Sequence, residues 1–362
     1  MPESMVAPEA ARESLRLEQR ADLKSFLGLS LKNGLLNLVT LTLYRFWGKT
    51  EVRRRLWTST YLNDEPFEYR GRGIELFIGF LIALGLGAVF LGLVFAVQFL
   101  GPVAALLILP AYIGLMALIG FALFAAFRYM ASRTAWRGVR FHLAGSGVKY
   151  GFRYLGYLWL SALTLGWFWP AAQIRLAAPL WSGLHFGDRR FAFDMEDAKQ
   201  ENVYGPFLIM WAGMIVLYLG FAGVAFALFA ASDFDPEQVS PAAMMALNYG
   251  IILFFALAVI LLSLPYRTAM MRCIARGIRF DGVKVRLEVR TFAFGGLFLS
   301  NIVLLAISLG FLMPFVQART AKFIFSRVKL VGDVDFAAIH QSRETGPRQG
   351  EGLADAFGLS IV

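Results

Sequence analysis

The feature that most constrains this chain is the absence of lysine and arginine from two long stretches, residues 74–127 and 200–266. Each stretch is interrupted once, by Gly101-Pro102 in the first and by an acidic segment at 232–241 in the second. A helix needs about 20 consecutive apolar residues to cross the hydrocarbon core of a bilayer, and the segments on either side of each interruption are long enough. The sequence therefore predicts four transmembrane helices, at 74–100, 103–127, 204–231 and 242–264.

The composition also indicates a polytopic membrane protein. Hydrophobic residues make up 58 % and charged residues 17 % of the chain, whereas soluble domains are nearer half apolar and a quarter charged. The net charge of +10 comes from basic segments between the apolar ones, so it indicates membrane topology and not a nucleic-acid-binding module. The one cysteine, Cys273, excludes an intrachain disulfide and a zinc site of several thiolates.

A second feature is a segment that recurs three times. It reads LTLYRFWGKTEVR at 41–53, LTLGWFWPAAQIR at 163–175 and ISLGFLMPFVQAR at 307–319. In each copy an apolar half-helix ends at a short turn, and a second helix follows. An internal repeat of this kind is a strong indication of architecture.

The turns of the second and third copies contain Gly166 and Gly310, which suit a helix C-terminus that needs a positive φ. Tyr44 takes that place in the first copy. The first turn is therefore predicted to be built differently.

Two topologies compete for these segments. If each apolar half-helix crosses the membrane alone, there are three further spans, and the basic clusters at 49–55 and 267–290 lie on opposite sides. If each segment enters and returns as a helical hairpin, all basic segments lie on one side, as the cytoplasmic bias of lysine and arginine requires. Each Lys or Arg at the membrane centre costs about 2.5–3.5 kcal/mol. We therefore favour hairpins, with both termini in the cytoplasm.

Short β-hairpins are predicted after the recurring segments. The turn pairs Asn63-Asp64, Gly187-Asp188 and Gly332-Asp333 stand between residues of alternating polarity. A further strand-like segment, RGVRFHL, lies at 137–143.

The resulting fold class is an all-α polytopic membrane protein with four transmembrane helices, three helical hairpins or three further spans, and short cytoplasmic β-hairpins. The expected organisation is a polar cytoplasmic arm at 1–25, helical from residue 9 to 24, a first membrane repeat at 26–149, a second at 150–290, a partial third at 291–338 and a mobile tail at 339–362.

Three sets of residues carry a resemblance to a known family. They are the LTL-x-RFW-x-K-x-x-VR core at 41–53, the run NDEPFEYRGRGIELFIGF at 63–80, and the related elements RGVRF at 137–141 and RGIRF at 276–280. With these the chain resembles the YjgN-like family of bacterial inner-membrane proteins, a domain of unknown function. The resemblance implies a multi-pass protein of the bacterial inner membrane, and it brings no activity or functional residues with it.

The candidate site is a set of polar residues in the recurring segments. Arg53, Arg175 and Arg319 are taken as equivalent, and an acidic or amide residue lies two positions before each of them. If the hairpins go deep, these groups line a polar path; if the second helices lie in the interface, the arginines reach lipid phosphates. The full set is Lys32, Glu51, Arg53, Gln173, Arg175, Gln317 and Arg319.

Lys32 is the most conspicuous single charge, because it lies in the apolar half of the first copy. It would either meet an anionic substrate or pair with an acidic residue such as Glu51. The second interpretation is the simpler one.

Two functions from different classes remain open. The first, which we favour, is a channel- or transporter-like protein with a small solute as its substrate, because internal repeats with interrupted helices are typical of secondary transporters. The second is a structural or lipid-interacting protein whose basic cytoplasmic face holds anionic headgroups. We expect no enzyme, no cofactor, no metal and no nucleic-acid partner, because the motifs of those classes are missing.

Overall fold

The computed structural model describes residues 15–100, 102–231, 240–334, 336 and 339–341. Most of these residues are helical, and the remainder includes a sheet of short strands. The helices are α1 Leu23–Val39, α2 Arg45–Thr58, α3 Gly73–Leu100, α4 Pro102–Arg133, α5 Gly147–Leu163, α6 Trp169–Gly183, α7 Met195–Lys199, α8 Tyr204–Ala231, α9 Pro241–Gly277, α10 Thr291–Ile307 and α11 Met313–Phe325.

The strands form one antiparallel sheet of ten, hydrogen-bonded in sequence order from β1 to β10. The strands β1 and β10 at its two edges also contact each other, so the sheet is a nearly closed barrel. The strands are β1 Leu17–Gln19, β2 Thr60–Leu62, β3 Glu65–Tyr69, β4 Thr134–Trp136, β5 Val139–Leu143, β6 Leu184–Phe186, β7 Arg189–Phe193, β8 Ile278–Phe280, β9 Val283–Leu287 and β10 Val328–Val331.

The barrel contradicts the predicted all-α fold class. Two of the three predicted β-hairpins exist, with Asn63 and Asp64 at φ 48° and 62° and Gly187 at φ 58° in their turns, but they join into one sheet. The third prediction, a hairpin at Gly332-Asp333, is wrong for the described residues, because β10 ends at Val331, pairs with β9, and no described strand follows it. The joining pairs lie across the long helices: β3 pairs with β4, and β7 pairs with β8. The prediction failed because strands of three to five residues give little local signal and their partners are far away in the sequence.

Alternation along the strands explains why the barrel forms. In a strand successive side chains point to opposite faces, and here one face is apolar while the other carries charge. Leu330 is paired with Val285, and both face inward, whereas Lys329 is paired with Arg286 on the outer face. Burial of the inward apolar side chains stabilises the short strands, which could not persist separately.

Every pair of long helices leaves the sheet and returns to it. The pairs α1–α2, α3–α4, α5–α6, α8–α9 and α10–α11 are each preceded and followed by a strand of the barrel. Both ends of each pair therefore lie at the sheet, and the recurring segments form helical hairpins. Four helices contain apolar segments that are long enough to cross a membrane, at Gly73–Ala96, Ile108–Arg133, Tyr204–Val224 and Pro241–Gly277.

The three helical hairpins have the same turn. In the first, the Thr40 hydroxyl accepts a hydrogen bond from Tyr44 N at 3.0 Å, and Thr42 N donates to Asn37 O at 2.6 Å. The Thr164 and Ser308 hydroxyls accept in the same way, from Phe168 N at 3.0 Å and Leu312 N at 3.2 Å. These bonds satisfy backbone groups that lipid could not satisfy.

These matching bonds correct the alignment of the first copy. Thr42 at φ 71° takes the left-handed place of Gly166 and Gly310, and Tyr44 does not. The turn is therefore built in the same way in all three copies. When the three copies are aligned on these hydroxyls, Glu51 is the residue equivalent to Arg175 and Arg319. The predicted equivalence of Arg53 with these two arginines is therefore wrong.

The first and last hairpins pack directly against each other. Phe315 N donates to Ser30 Oγ at 3.1 Å, and Lys322 Nζ donates to Ala21 O at 3.4 Å. A buried cluster of Phe26, Leu29, Val52, Leu56 and Ala318 lies between α1, α2 and α11. We call this contact, together with the neighbouring edges β1 and β10, the seam of the barrel.

Both ends of the chain differ from expectation where the structure describes them. The predicted helical arm contains the strand β1, and α1 begins only at Leu23, after the Asp22 cap. Ile339, in the predicted mobile tail, is buried, and His340 O accepts from Asp188 N at 2.9 Å. The other parts of these predictions, 1–14 and 342–362, lie outside the described residues, as do Gly101 and the acidic segment 232–239.

Candidate functional site

The residues predicted to line a polar path are divided among the three hairpins. Lys32 Nζ lies 2.8 and 3.0 Å from the two carboxylate oxygens of Glu51, so these residues form an ion pair. The side chains are 50 % and 38 % exposed, and the pair lies on the outside of its hairpin. Arg53, on the same helix, is buried at 1 % exposure.

The predicted residues of the second and third hairpins have separate partners. Gln173 Oε1 accepts from the Tyr266 hydroxyl at 2.8 Å. The Arg175 guanidinium lies 5.2 Å from the ring centre of Phe168. Arg319 Nη1 donates to Asn301 Oδ1 at 3.1 Å. The Gln173 contact joins α6 to α9, the Arg175 contact stays at α6, and the Arg319 contact joins α11 to α10, so these residues do not converge on one point.

Gln317 is the predicted residue that borders a cavity. It lies on α11 and lines a cavity of about 710 Å³ inside the barrel. This volume is within the range of about 300–1,000 Å³ that is usual for ligand sites. We call it the barrel cavity.

The wall of the barrel cavity is apolar and aromatic. Inward residues of nearly every strand contribute, together with one face of α11 and the C-terminal ends of α2 and α6. The aromatic residues of the wall are Trp57, Phe67, Trp136, Phe141, Trp181, Phe186, Phe191, Phe280, Phe325 and Phe336.

The end of the barrel away from the helices is closed by the C-terminal segment. Phe336 packs on Trp136 with the ring centres 4.7 Å apart, and Ile339 is buried in the same cluster. His340 is hydrogen-bonded to Asp188 in the β6–β7 turn. The opposite end is covered by α2, α6 and α11, so the cavity lies between the barrel floor and the helical hairpins.

A few polar side chains interrupt the apolar wall on the side of the seam. Gln19 at the end of β1 and Gln317 on α11 are amides, and Thr60 begins β2. The Thr60 hydroxyl donates to Leu56 O at 2.9 Å, and Gln19 Nε2 donates to the same oxygen at 3.4 Å. We call Gln19, Thr60 and Gln317 the polar corner.

The outside of the barrel is charged. Arg20 is paired with Glu18 and Asp64, and the Arg20 guanidinium holds the pKa of the Asp64 carboxyl below its usual range. Arg137 Nε lies 2.8 Å from Glu65. The barrel therefore presents charge to its surroundings and an apolar surface to its interior.

Metal binding has no support in the part of the chain that the structure describes, where no group of three or more His, Cys, Asp or Glu could hold an ion. His142 and His185 stack with their ring centres 4.6 Å apart on the paired strands β5 and β6. This contact is part of the strand pairing on the outer face.

The barrel cavity was not predicted from the sequence, although the sequence contains a pattern that indicates it. The strand-like segments place bulky apolar residues at alternate positions, for example Trp136, Phe141, Phe186 and Phe191. Alternation of this kind predicts a shared apolar face. Gln19 carried no signal, because it lies in a segment that was interpreted as a helical arm.

One relative has an informative name. The chain is 36 % identical over 66 residues to a protein of Salmonella typhimurium (strain LT2) called inner membrane protein YjgN. The match covers 18 % of this chain and 17 % of that protein, so it spans less than a fifth of the relative. No solved structure matches the chain.

The comparison with protein families covers far more of the sequence. The family model described as "Bacterial protein of unknown function (DUF898)" matches residues 14–356, which include the barrel, the hairpins and the four apolar helices. The expected resemblance to YjgN-like proteins is thereby confirmed, and the relative and the apolar helices together support a multi-pass protein of the inner membrane. The chain belongs to this DUF898 family of bacterial proteins.

Proposed function

We propose that this protein is a lipid-binding protein of the inner membrane that holds the apolar chain of a lipid in the barrel cavity. The proposal rests on the cavity itself, which has a volume of about 710 Å³ and a wall of aromatic and aliphatic side chains. A wall of this kind favours an apolar ligand. The proposal develops the lipid-interacting alternative and departs from the channel or transporter that the sequence favoured.

The position of the cavity favours a lipid from the bilayer as its ligand. The hairpins that cover it expose large apolar side chains, among them Leu38, Leu41 and Leu309, and such surfaces suit contact with lipid tails. The barrel, in contrast, is charged outside. Moving the alkyl chain of a lipid from the bilayer into water costs about 0.8 kcal/mol of free energy for each methylene group exposed. A covered apolar cavity beside the membrane avoids that loss.

The basic residues suit an anionic membrane surface on the barrel side. They concentrate in the strands and at the strand-proximal ends of the helices, whereas the long helices carry few. Each Lys or Arg near an anionic surface contributes about 1 kcal/mol. We expect the barrel side to be cytoplasmic, and anionic lipid to copurify in preference to zwitterionic lipid, with a preference that weakens in high salt.

A channel or transporter has less support. Its proposed path would need Lys32, Arg175 and Arg319 to face one continuous polar space, yet each has a partner within its own hairpin. The absence of enzyme activity remains a prediction from the missing motifs.

The test is to fill the cavity with bulky side chains from two elements of its wall. Val285 on β9 and Ala321 on α11 both line it, and the double variant V285W/A321W would occupy much of its volume. Val331 lies on the neighbouring strand at 50 % exposure, so V331W is the matched control. Binding of a long alkyl probe is measured by native mass spectrometry of the detergent-purified protein.

We expect the wild type and V331W to retain one alkyl molecule, and the double variant to bind it about tenfold more weakly, equivalent to about 1.4 kcal/mol. A thermal unfolding curve verifies that the double variant is folded. Equal binding by all three proteins, or no binding by the wild type, would refute the proposal.

A further inference from the structure

The barrel cavity has a wall without charge. Among the residues that line it there is no Asp, Glu, Lys or Arg, although the outer face of the same barrel is rich in them. An ionised group in such surroundings would be far from any counter-charge, and its burial would be strongly unfavourable. The part of a ligand that enters the cavity must therefore be neutral.

The polar corner contains an acceptor that nothing in the described residues satisfies. Gln19 is only 8 % exposed and lines the cavity. Its Nε2 donates to Leu56 O at 3.4 Å, while no described group donates to its Oε1. A buried amide oxygen of this kind is unfavourable unless a donor reaches it, so the corner is prepared for a hydrogen-bond donor.

The second amide of the corner lies across the seam from the first. Gln317 is on α11, which packs against β1, and an amide side chain can both donate and accept. A hydroxyl group also both donates and accepts. A hydroxyl can therefore donate to Gln19 Oε1, whereas a carboxylate can only accept and brings a charge.

We propose that the barrel cavity selects a neutral lipid with a hydroxyl group, such as a long-chain alcohol or a monoacylglycerol, whose O–H donates to Gln19 Oε1. This inference rests on the proposed function and names the chemical class of the ligand. The alkyl chain lies along the aromatic wall, and the hydroxyl lies at the polar corner.

The test compares three probes with the same chain: hexadecanol, its methyl ether and hexadecanoate. They compete at pH 8 for the purified wild-type protein, and native mass spectrometry reports the bound fraction. We expect hexadecanol to bind about tenfold more tightly than the ether, because the ether has no hydroxyl to donate. We expect hexadecanoate to bind most weakly, because its carboxylate is ionised.

Two variants test whether the preference for the alcohol over the ether depends on Gln19. Q19L removes the acceptor and should abolish the preference for the alcohol over the ether while leaving ether binding within about twofold. The matched control is Q200L, because Gln200 is an amide at the end of α7 that bonds to Asp197 at 2.9 Å, away from the cavity. It should leave the preference unchanged.

The outcomes separate the two proposals. Equal binding of alcohol and ether by the wild type, as expected if water satisfies the amide, overturns the hydroxyl inference and leaves the lipid-binding function standing. A preference that survives in Q19L overturns the role of Gln19. Failure of all three probes to bind the wild type overturns the proposed function itself.

Discussion

A partly buried ion pair fixes the first transmembrane pair to the barrel. Glu75 in the first turn of α3 accepts hydrogen bonds from Arg133 Nε at 3.0 Å, from Arg133 Nη2 at 2.7 Å and from the Tyr129 hydroxyl at 2.6 Å. Both charged side chains are 19 % exposed. Arg133 directly precedes β4, so these bonds set the angle at which α3 and α4 leave the sheet.

The loss of stability expected for Glu75→Gln follows from this geometry. Removal of one partner of a fully buried pair costs about 3–5 kcal/mol, whereas exposed pairs contribute about 0–1 kcal/mol. About a fifth of each side chain is exposed, and the amide keeps one acceptor oxygen. We therefore expect Glu75→Gln to lower the free energy of unfolding by about 2 kcal/mol. The comparison is Glu196→Gln, whose pair with Lys199 at 2.7 Å is largely exposed and should contribute less than about 0.5 kcal/mol.

The assay is reversible unfolding of the detergent-purified protein in increasing denaturing detergent, followed by tryptophan fluorescence. A double-mutant cycle with Arg133→Gln should give a coupling energy of about 1 kcal/mol or more, because the two residues share two hydrogen bonds. If Glu75→Gln and Glu196→Gln lose the same stability, or the cycle gives no coupling, the pair does not anchor these helices and the reasoning is refuted.

Three further predictions test other parts of the structure. A Cβ at Gly151 would lie 2.6 Å from Ala117 O, whereas one at Gly156 would meet nothing within 4 Å; Gly151→Ala should therefore cost about 1–3 kcal/mol by forcing α4 and α5 apart, and Gly156→Ala should be neutral or stabilising, as thermal unfolding would report. Single cysteines replacing Asp64 and Asp188, in a chain without its native cysteine, should react with an impermeant thiol reagent from the same side of the membrane, because both turns belong to one barrel; labelling from opposite sides would contradict the fold. Ile339→Ala should cost about 2–5 kcal/mol as a buried truncation, and an unchanged unfolding midpoint would mean that this segment does not close the barrel.

The parts of the fold that could be predicted are those that depend on local sequence. The predicted helix at 204–231 coincides with α8, because length and apolar composition alone define such a segment. The turn at Asn63-Asp64 was correct because these residue types tolerate positive φ. Both conclusions needed no knowledge of distant residues.

The barrel and the barrel cavity could not be predicted in the same way. Phe67 is paired with Trp136 only because α3 and α4 return to the sheet, and no local pattern states which strands will meet. The candidate site suffered from the same limit. Arg53 was aligned by its residue type, whereas the register is set by the hydroxyl of Thr40.

The seam determines at which point of protein synthesis the barrel can form. The strand β1 begins at Leu17, and its neighbour β10 begins at Val328, so the two edges come together only after the roughly 300 residues between them have been synthesised. Until then the outer edge of β1 is not covered by β10 and α11, and uncovered strand edges pair readily with other chains. Contacts between such distant residues also form slowly. A truncated chain that lacks α11 would therefore keep its four apolar helices, yet it would have an open sheet and would be the form most prone to aggregate.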